Sequence, residues 1–214
     1  MRPSPALSST SVDALLFDLG GVVIEIDFGR AVQAWADAAR VSRSRIAERF
    51  SLDAGYEAHE RGQISAHEYC AHLRATLGVT LADEILLSGW NQIFVGAIPG
   101  VEALLESLAR SYPLYAFSNT NVAHRAFWQA RYAKLLRPFL QIFCSCDLGV
   151  RKPSADAFLE VSRRIGIAPG RIAFFDDHAQ NVRGAREAGL LAHEVHSVGD
   201  IRAALQREGI RCDC

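Results

Sequence analysis

Asp18, Ser118, Lys152 and the pair Asp176-Asp177 are residue types that can do chemistry together, and each closes or closely follows a short apolar run. The three carboxylates have no obvious local cation. Brought together, they must raise one another's pKa values or be neutralised by a positive charge. A donor set of hard oxygens favours magnesium, which takes a few carboxylates together with water and substrate oxygens. Lys152 adds a fixed positive charge, and the Ser118 hydroxyl and Asn119 backbone add hydrogen-bond donors. A carboxylate nucleophile, a divalent cation, a lysine and a hydroxyl are the parts that phosphoryl transfer requires. In that reaction the protein mostly positions groups and neutralises charge on the moving oxygens.

The elements that would hold these groups alternate along the chain. Apolar runs at Ala14 to Phe17, Leu114 to Phe117, Gln141 to Cys144, Ile172 to Phe175 and Leu191 to Val195 predict short buried strands. Between them lie amphipathic patterns. One, with Val101, Leu104, Leu105 and Leu108, starts after Pro99-Gly100, and another runs from Ala157 to Ile165 and stops at Gly166. Phe28, Val32, Trp35, Ala36 and Ala39 recur at helical spacing, and no clear strand signal follows before Gln92. Buried strands alternating with helices predict an α/β fold, a parallel Rossmann-like sheet with helices on both faces. Such sheets bind ligands beyond the carboxyl ends of their strands, where strand order reverses. Asp18, Ser118, the loop with Lys152 and Asp176-Asp177 all fall at such ends.

Composition removes several other classes. A net charge of −1 over 214 residues offers no basic surface for nucleic acid or an anionic membrane. Arg40, Arg43, Arg45 and Arg49 share a predicted helix with Glu48 and read as a solvated face. No apolar run approaches the ~20 residues of a membrane span. Residues 1–10 read as a flexible tail without a signal-peptide core. Five cysteines give no disulfide framework, so a reducing, cytoplasmic setting is expected. The pairs Cys144/Cys146 and Cys212/Cys214 read as incidental thiols. Oligomeric state is not legible.

At the motifs the chain resembles the haloacid dehalogenase (HAD) superfamily. LLFDLGGVV, with Asp18, resembles its first motif; Phe117-Ser118-Asn119-Thr120 its second; Arg151-Lys152-Pro153 its third; and Phe174-Phe175-Asp176-Asp177 its fourth. The four occur in the family's order across nearly the whole chain. The resemblance implies Asp18 as nucleophile and magnesium ligand, the Gly20 carbonyl as second ligand, and Asp177 as third, with Asp176 supporting it or its waters. It implies phosphoryl binding by Ser118, Asn119, Lys152 and Gly20, with Ser118 and Lys152 also catalytic. It further implies a helical cap at 28–95 inserted in a core made of 11–27 and 96–214. The expected activity is hydrolysis of a small phosphorylated metabolite. His59-Glu60-Arg61-Gly62, Asp27-Phe28, the Trp90 segment, Ser118 to Asn121 and Asp147 to Pro153 are similar to a narrower subgroup. That subgroup contains sugar 1-phosphate phosphatases and the phosphatase domain of soluble epoxide hydrolase.

One position departs from the superfamily pattern. Most of its phosphatases carry an aspartate two residues after the nucleophile, which protonates the leaving group and then activates water. Here that residue is Gly20, as in the narrower subgroup. His59 and Glu60 are candidate substitutes, or equally a solvated or capping pair. Trp35, Trp90 and Phe94 are expected to pack in the cap. His178 is expected on a solvent-facing loop, His124 and Arg125 on a helix surface, and Asn181 has a weaker claim to the metal. A receiver domain places its acidic pair before the phosphoacceptor, and this chain has the opposite order. A non-catalytic descendant of the fold and a haloacid dehalogenase remain as alternatives.

Overall fold

The structure, a computed structural model, describes residues 12–210. The expected tail and the Cys212/Cys214 pair lie outside them. Strand β1 (Ala14–Phe17) and the short β2 (Ile24–Ile26) come first. Five helices follow: α1 (Phe28–Ala39), α2 (Arg43–Ala47), α3 (Ala54–Glu60), α4 (Ala66–Leu77) and α5 (Asp83–Asn91). Next are β3 (Phe94–Ala97), α6 (Val101–Leu108), β4 (Leu114–Ser118), α7 (Val122–Arg131) and α8 (Ala133–Leu136). Then come β5 (Phe139–Cys144), α9 (Ser145–Leu148), α10 (Ala155–Ile165), β6 (Ile172–Asp176), α11 (Ala179–Glu187), β7 (Leu191–Glu194) and α12 (Val198–Arg207). Among the described residues no helix is long and apolar enough to cross a membrane.

Five strands form one parallel sheet in the order β5-β4-β1-β6-β7. Strand β1 is central because every side chain on it is apolar and buried, and alternate residues feed opposite faces. Leu15 and Phe17 join a cluster with Val101, Leu104 and Leu105 of α6 and Ala204 and Leu205 of α12. Ala14 and Leu16 join another with Phe158 and Val161 of α10 and Val182 and Ala185 of α11. Strand order reverses at β1, so the crevice beyond its carboxyl end is the fold's natural ligand position.

Helices α1–α5 have a third core of their own, built on Trp35, Tyr69, Leu73, Leu86 and Trp90. The Trp35 indole N–H donates to the Leu86 carbonyl at 2.9 Å, satisfying the polar end of a buried ring. Trp35 and Trp90 stack, as expected of core aromatics. Local signals set the helix ends. The Asp27 side chain accepts from Gly29 N–H at the start of α1, and a Ser65/Glu68 capping box opens α4. Gly166, at φ 78°, closes α10 where the glycine predicts it.

The hairpin of β2 and β3 was not anticipated. Its strands are three and four residues long, pair antiparallel and lie far apart in sequence, so neither gives a periodic signal. Strand β3 runs across positions 95–96, where the helical insertion was expected to end. Strand β5 likewise starts earlier than expected, at Phe139, and α9 intervenes between it and the loop that carries Lys152.

Gly184 shows how that loop is held. A Cβ on Gly184 would lie 1.8 Å from the Pro153 carbonyl oxygen, so α11 presses its backbone directly onto the segment after Lys152. Gly184→Ala should therefore cost about 3 kcal/mol, at the upper end of overpacking effects, read as a lowered urea midpoint.

Candidate active site

Three of the sheet's central strands deliver the expected groups to one end. Asp18 follows β1 and donates its backbone N–H to Phe175 O of neighbouring β6 at 2.8 Å. Ser118 ends β4 and Asp176 ends β6, and both are buried. Lys152 arrives from the loop before α10 and is 1% exposed. Its ammonium lies 2.9 Å from Asp18 Oδ1 and 2.7 Å from Asp176 Oδ2.

The electrostatics follow from that burial. The Asp18 carboxyl is pushed up to about 7: desolvation raises it most, Lys152 offsets part of that rise, and Asp176 and Asp177 add to it. Burial would likewise raise Asp176, but Lys152 and hydrogen bonds from His178 N–H and Asn181 outweigh it and hold the group low. Burial opposes the charge on Lys152, and the two carboxylates more than compensate, so it stays protonated.

Asp176 and Asp177 divide their work. Both oxygens of Asp176 are engaged: Oδ1 accepts from His178 N–H at 2.8 Å and Oδ2 from Lys152, with Asn181 Nδ2 within 3.1 Å of each. Asn181 thus braces Asp176. Asp177 Oδ1 is buried and meets His178 Nδ1 at 3.0 Å in an ion-pair contact. Asp177 Oδ2 lies where a Cβ on Gly21 would stand, 2.2 Å away, and Gly21 has φ 80°. Only glycine accepts both that conformation and that approach, which brings Asp177 against the turn after Asp18. Three carboxylates against one lysine form a donor set that suits a hard divalent cation. The ligand atoms of Asp176, Asp177 and His178 lie within 4.8 Å of one another.

Asn119 has a function that the sequence reading missed. Its side chain donates to Lys152 O and accepts from Lys152 N–H, both at 2.9 Å, clamping the lysine's peptide from both sides. The Ser118 hydroxyl makes only a 3.4 Å contact to Asn119 O, and so is available to a ligand.

Asp18, Ser118, Asn119, Lys152, His178 and Asn181 line a cavity of about 470 Å³ roofed by the β2–β3 ribbon and by α3. Ile24, Ile26 and Phe94 make one wall; Tyr56, Glu57, Glu60 and Arg151 make another. Glu60 is 2% exposed, which excludes the solvated pair considered from sequence. It accepts from Tyr56 Oη at 2.6 Å and from Arg151 Nε at 2.9 Å. His59 is also buried, stacked on Tyr69, with its pKa pushed down to about 4 by desolvation. His124 departs further from expectation: instead of lying on a helix surface it is buried between Trp90 and Phe94 and pushed down to about 3. Position alone gave no hint, because its cover comes from the distant α5–β3 segment. Arg125 is partly exposed and pairs with Asp147. His178 is exposed, as expected.

Comparison with known proteins agrees with this geometry. The sequence model of haloacid dehalogenase-like hydrolases matches residues 12–189, most of the chain. The chain belongs to this family of enzymes. A D-ribitol-5-phosphate phosphatase of Bacteroides thetaiotaomicron is 25% identical over 201 residues, 89% of this chain and 95% of that one. A HAD family enzyme from the same organism, crystallised with magnesium and inorganic phosphate, superposes with a TM-score of 0.75 at 27% identity, covering 86% of this chain and 94% of that one. A magnesium complex of that enzyme gives 0.79 at 28% identity, covering 92% and 99%. The Rossmann-like HAD fold expected from sequence is thereby established.

Because Lys152 is wholly buried between two carboxylates, the fold depends on it. Lys152→Met would leave Asp176 buried and unpaired, and should lower unfolding free energy by about 3–5 kcal/mol in chemical denaturation.

Proposed function

We propose that the protein is a magnesium-dependent phosphomonoesterase acting on a small phosphorylated metabolite through an aspartyl-phosphate at Asp18. The observation that carries this reading is the buried Lys152 bridging Asp18 and Asp176, with a third carboxylate, Asp177, held against the turn after Asp18. The ribitol-phosphate phosphatase relative and the magnesium and phosphate bound by the superposed enzyme support it. Magnesium would be held by Asp18, the Gly20 carbonyl and Asp177, with Asp176 behind them. It would supply charge neutralisation on the phosphoryl oxygens. Lys152 and the Ser118 hydroxyl bind those oxygens, and Asn119 fixes the lysine's backbone.

Asp18 attacks phosphorus with a carboxylate oxygen, and the bond to the leaving oxygen breaks. Water then attacks the same phosphorus, releasing phosphate and regenerating Asp18. Helices α1–α5, within residues 28–95, act as a cap that excludes water and meets the leaving group. The extra carboxylate at Asp176-Asp177 favours a cation, and with it phosphate, over metal-free dehalogenation. A cytoplasmic setting accords with free thiols at Cys70, Cys144 and Cys146.

The leaving group departs with little acid assistance. Where the usual aspartate would begin, a Cβ on Gly20 would meet Ile26 Cδ1 at 3.0 Å. His59 and His124 are neutral above about 4 and 3, and Glu60 is committed to Arg151 and Tyr56. Acidic leaving groups, anomeric hydroxyls and phenols, should therefore outperform primary alcohols. This supports the sugar 1-phosphate type of substrate.

Asp18→Asn should abolish phosphate release while circular dichroism shows the fold intact, and a chelator should silence the parent. Retained activity in either case would overturn the assignment. Rapid mixing with an aryl phosphate should give a product burst of about one equivalent per site, because hydrolysis of the aspartyl-phosphate lacks its usual base. Gly20→Asp combined with Ile26→Ala, which makes room for the carboxylate, should shrink that burst.

A further inference from the structure

The cations that line the cavity are Lys152, Arg151 and His178. Lys152 serves the phosphoryl end, and His178 lies against Asp177 on the same side. Arg151 alone faces the leaving-group side, and its position beside a phosphate site would ordinarily suggest an anion reader. Its environment argues otherwise. Nη1 lies 2.9 Å from Glu57 Oε1, and Nη2 lies 2.8 Å from Glu60 Oε2. Two carboxylates thus flank one guanidinium, whose side chain is 16% exposed, and Glu57 is shared with Arg61 Nη2 at 3.0 Å. A further anion entering the cavity would meet an arginine already ion-paired with two closer carboxylates. Removing its own hydration shell would go uncompensated.

A hydroxyl fares differently. Each carboxylate oxygen here accepts only one or two hydrogen bonds and retains lone pairs, and the Tyr56 hydroxyl, whose proton goes to Glu60, adds a further acceptor. Groups that both donate and accept fit such a wall. Opposite it, Ile26 and Phe94 offer carbon surface to the unhydroxylated face of a short chain or ring.

We propose that Glu57 and Glu60 lock Arg151 into a charge filter, which selects phosphomonoesters with an uncharged, hydroxylated leaving group and turns away those bearing a second anion. This rests on the phosphatase reading above and adds to it a substrate class and its determinants. Glu57 is the adjustable part, since its side chain is 40% exposed and it can be changed without opening the buried Glu60 pair.

The test compares kcat/KM, with magnesium, for matched substrates: glycerol 1-phosphate against 3-phosphoglycerate, and a pentitol 5-phosphate against a pentose bisphosphate. The parent should favour the uncharged member of each pair by about tenfold or more. Glu57→Gln should narrow that preference and Glu57→Lys should narrow it further, chiefly through KM of the acidic substrates. A defect in folding alone would lower both members together, whereas a filter predicts an absolute gain on the acidic ones. Equal rates on both members in the parent, or an unchanged ratio across the two variants, would overturn the filter. Magnesium-dependent hydrolysis of an aryl phosphate, measured alongside, separates the two readings: with it intact, a flat ratio removes the filter alone. Without it, the phosphatase assignment falls first and takes the filter with it.

Discussion

An ammonium group almost fully withdrawn from water must be surrounded by negative charge or lose its proton. Lys152 keeps its proton because Asp18 and Asp176 lie within 2.9 Å of it. Much of the surrounding architecture serves that arrangement. The two carboxylates come from the ends of adjacent parallel strands, so sheet register sets their separation. The lysine comes from a loop that Asn119 clamps and Gly184 lets α11 press upon. One constraint therefore ties together β1, β4, β6 and α11. Removing the lysine would leave a buried charge with nothing to balance it, which is why the residue we propose for phosphate binding is also a residue of the fold.

The same cavity shows how two kinds of wall can divide a task. The phosphoryl end sets three carboxylates against one lysine, an excess of negative charge that suits a divalent cation and, with it, a phosphate dianion. The far end pairs an apolar hairpin with the ion-paired Tyr56, Glu57, Glu60 and Arg151. Ile26 occupies the region where a side chain at position 20 would emerge, so the missing carboxylate leaves a filled space.

Much of this was legible in the sequence because it depends on local patterns. Ala14–Phe17 was marked by four apolar residues ending in Asp18, and α10 by its glycine stop. The four motifs lie at strand ends or in tight loops, where residue type and backbone are coupled directly. What escaped depends on pairs distant in sequence. Glu60 and Arg151 are 91 residues apart, and nothing near either one names the other. The β2–β3 pairing joins strands too short to show alternation. His124 sits on a helix whose own pattern suggests exposure, and only the packing of Trp90 and Phe94 over it makes it a buried residue.

The hairpin has an evolutionary consequence. The chain leaves the sheet through β2 and returns through β3, so departure and return run side by side as a bonded ribbon. No strand of the five-stranded sheet contains a residue from α1–α5, and those helices fill their own core. The ribbon thus works as a splice point. Whatever is inserted between its two strands can lengthen, shorten or be exchanged without changing the registry of β4, β1 and β6. Descent can then rewrite one contiguous stretch of gene while the strand ends that carry Asp18, Ser118 and Asp176 are inherited unchanged.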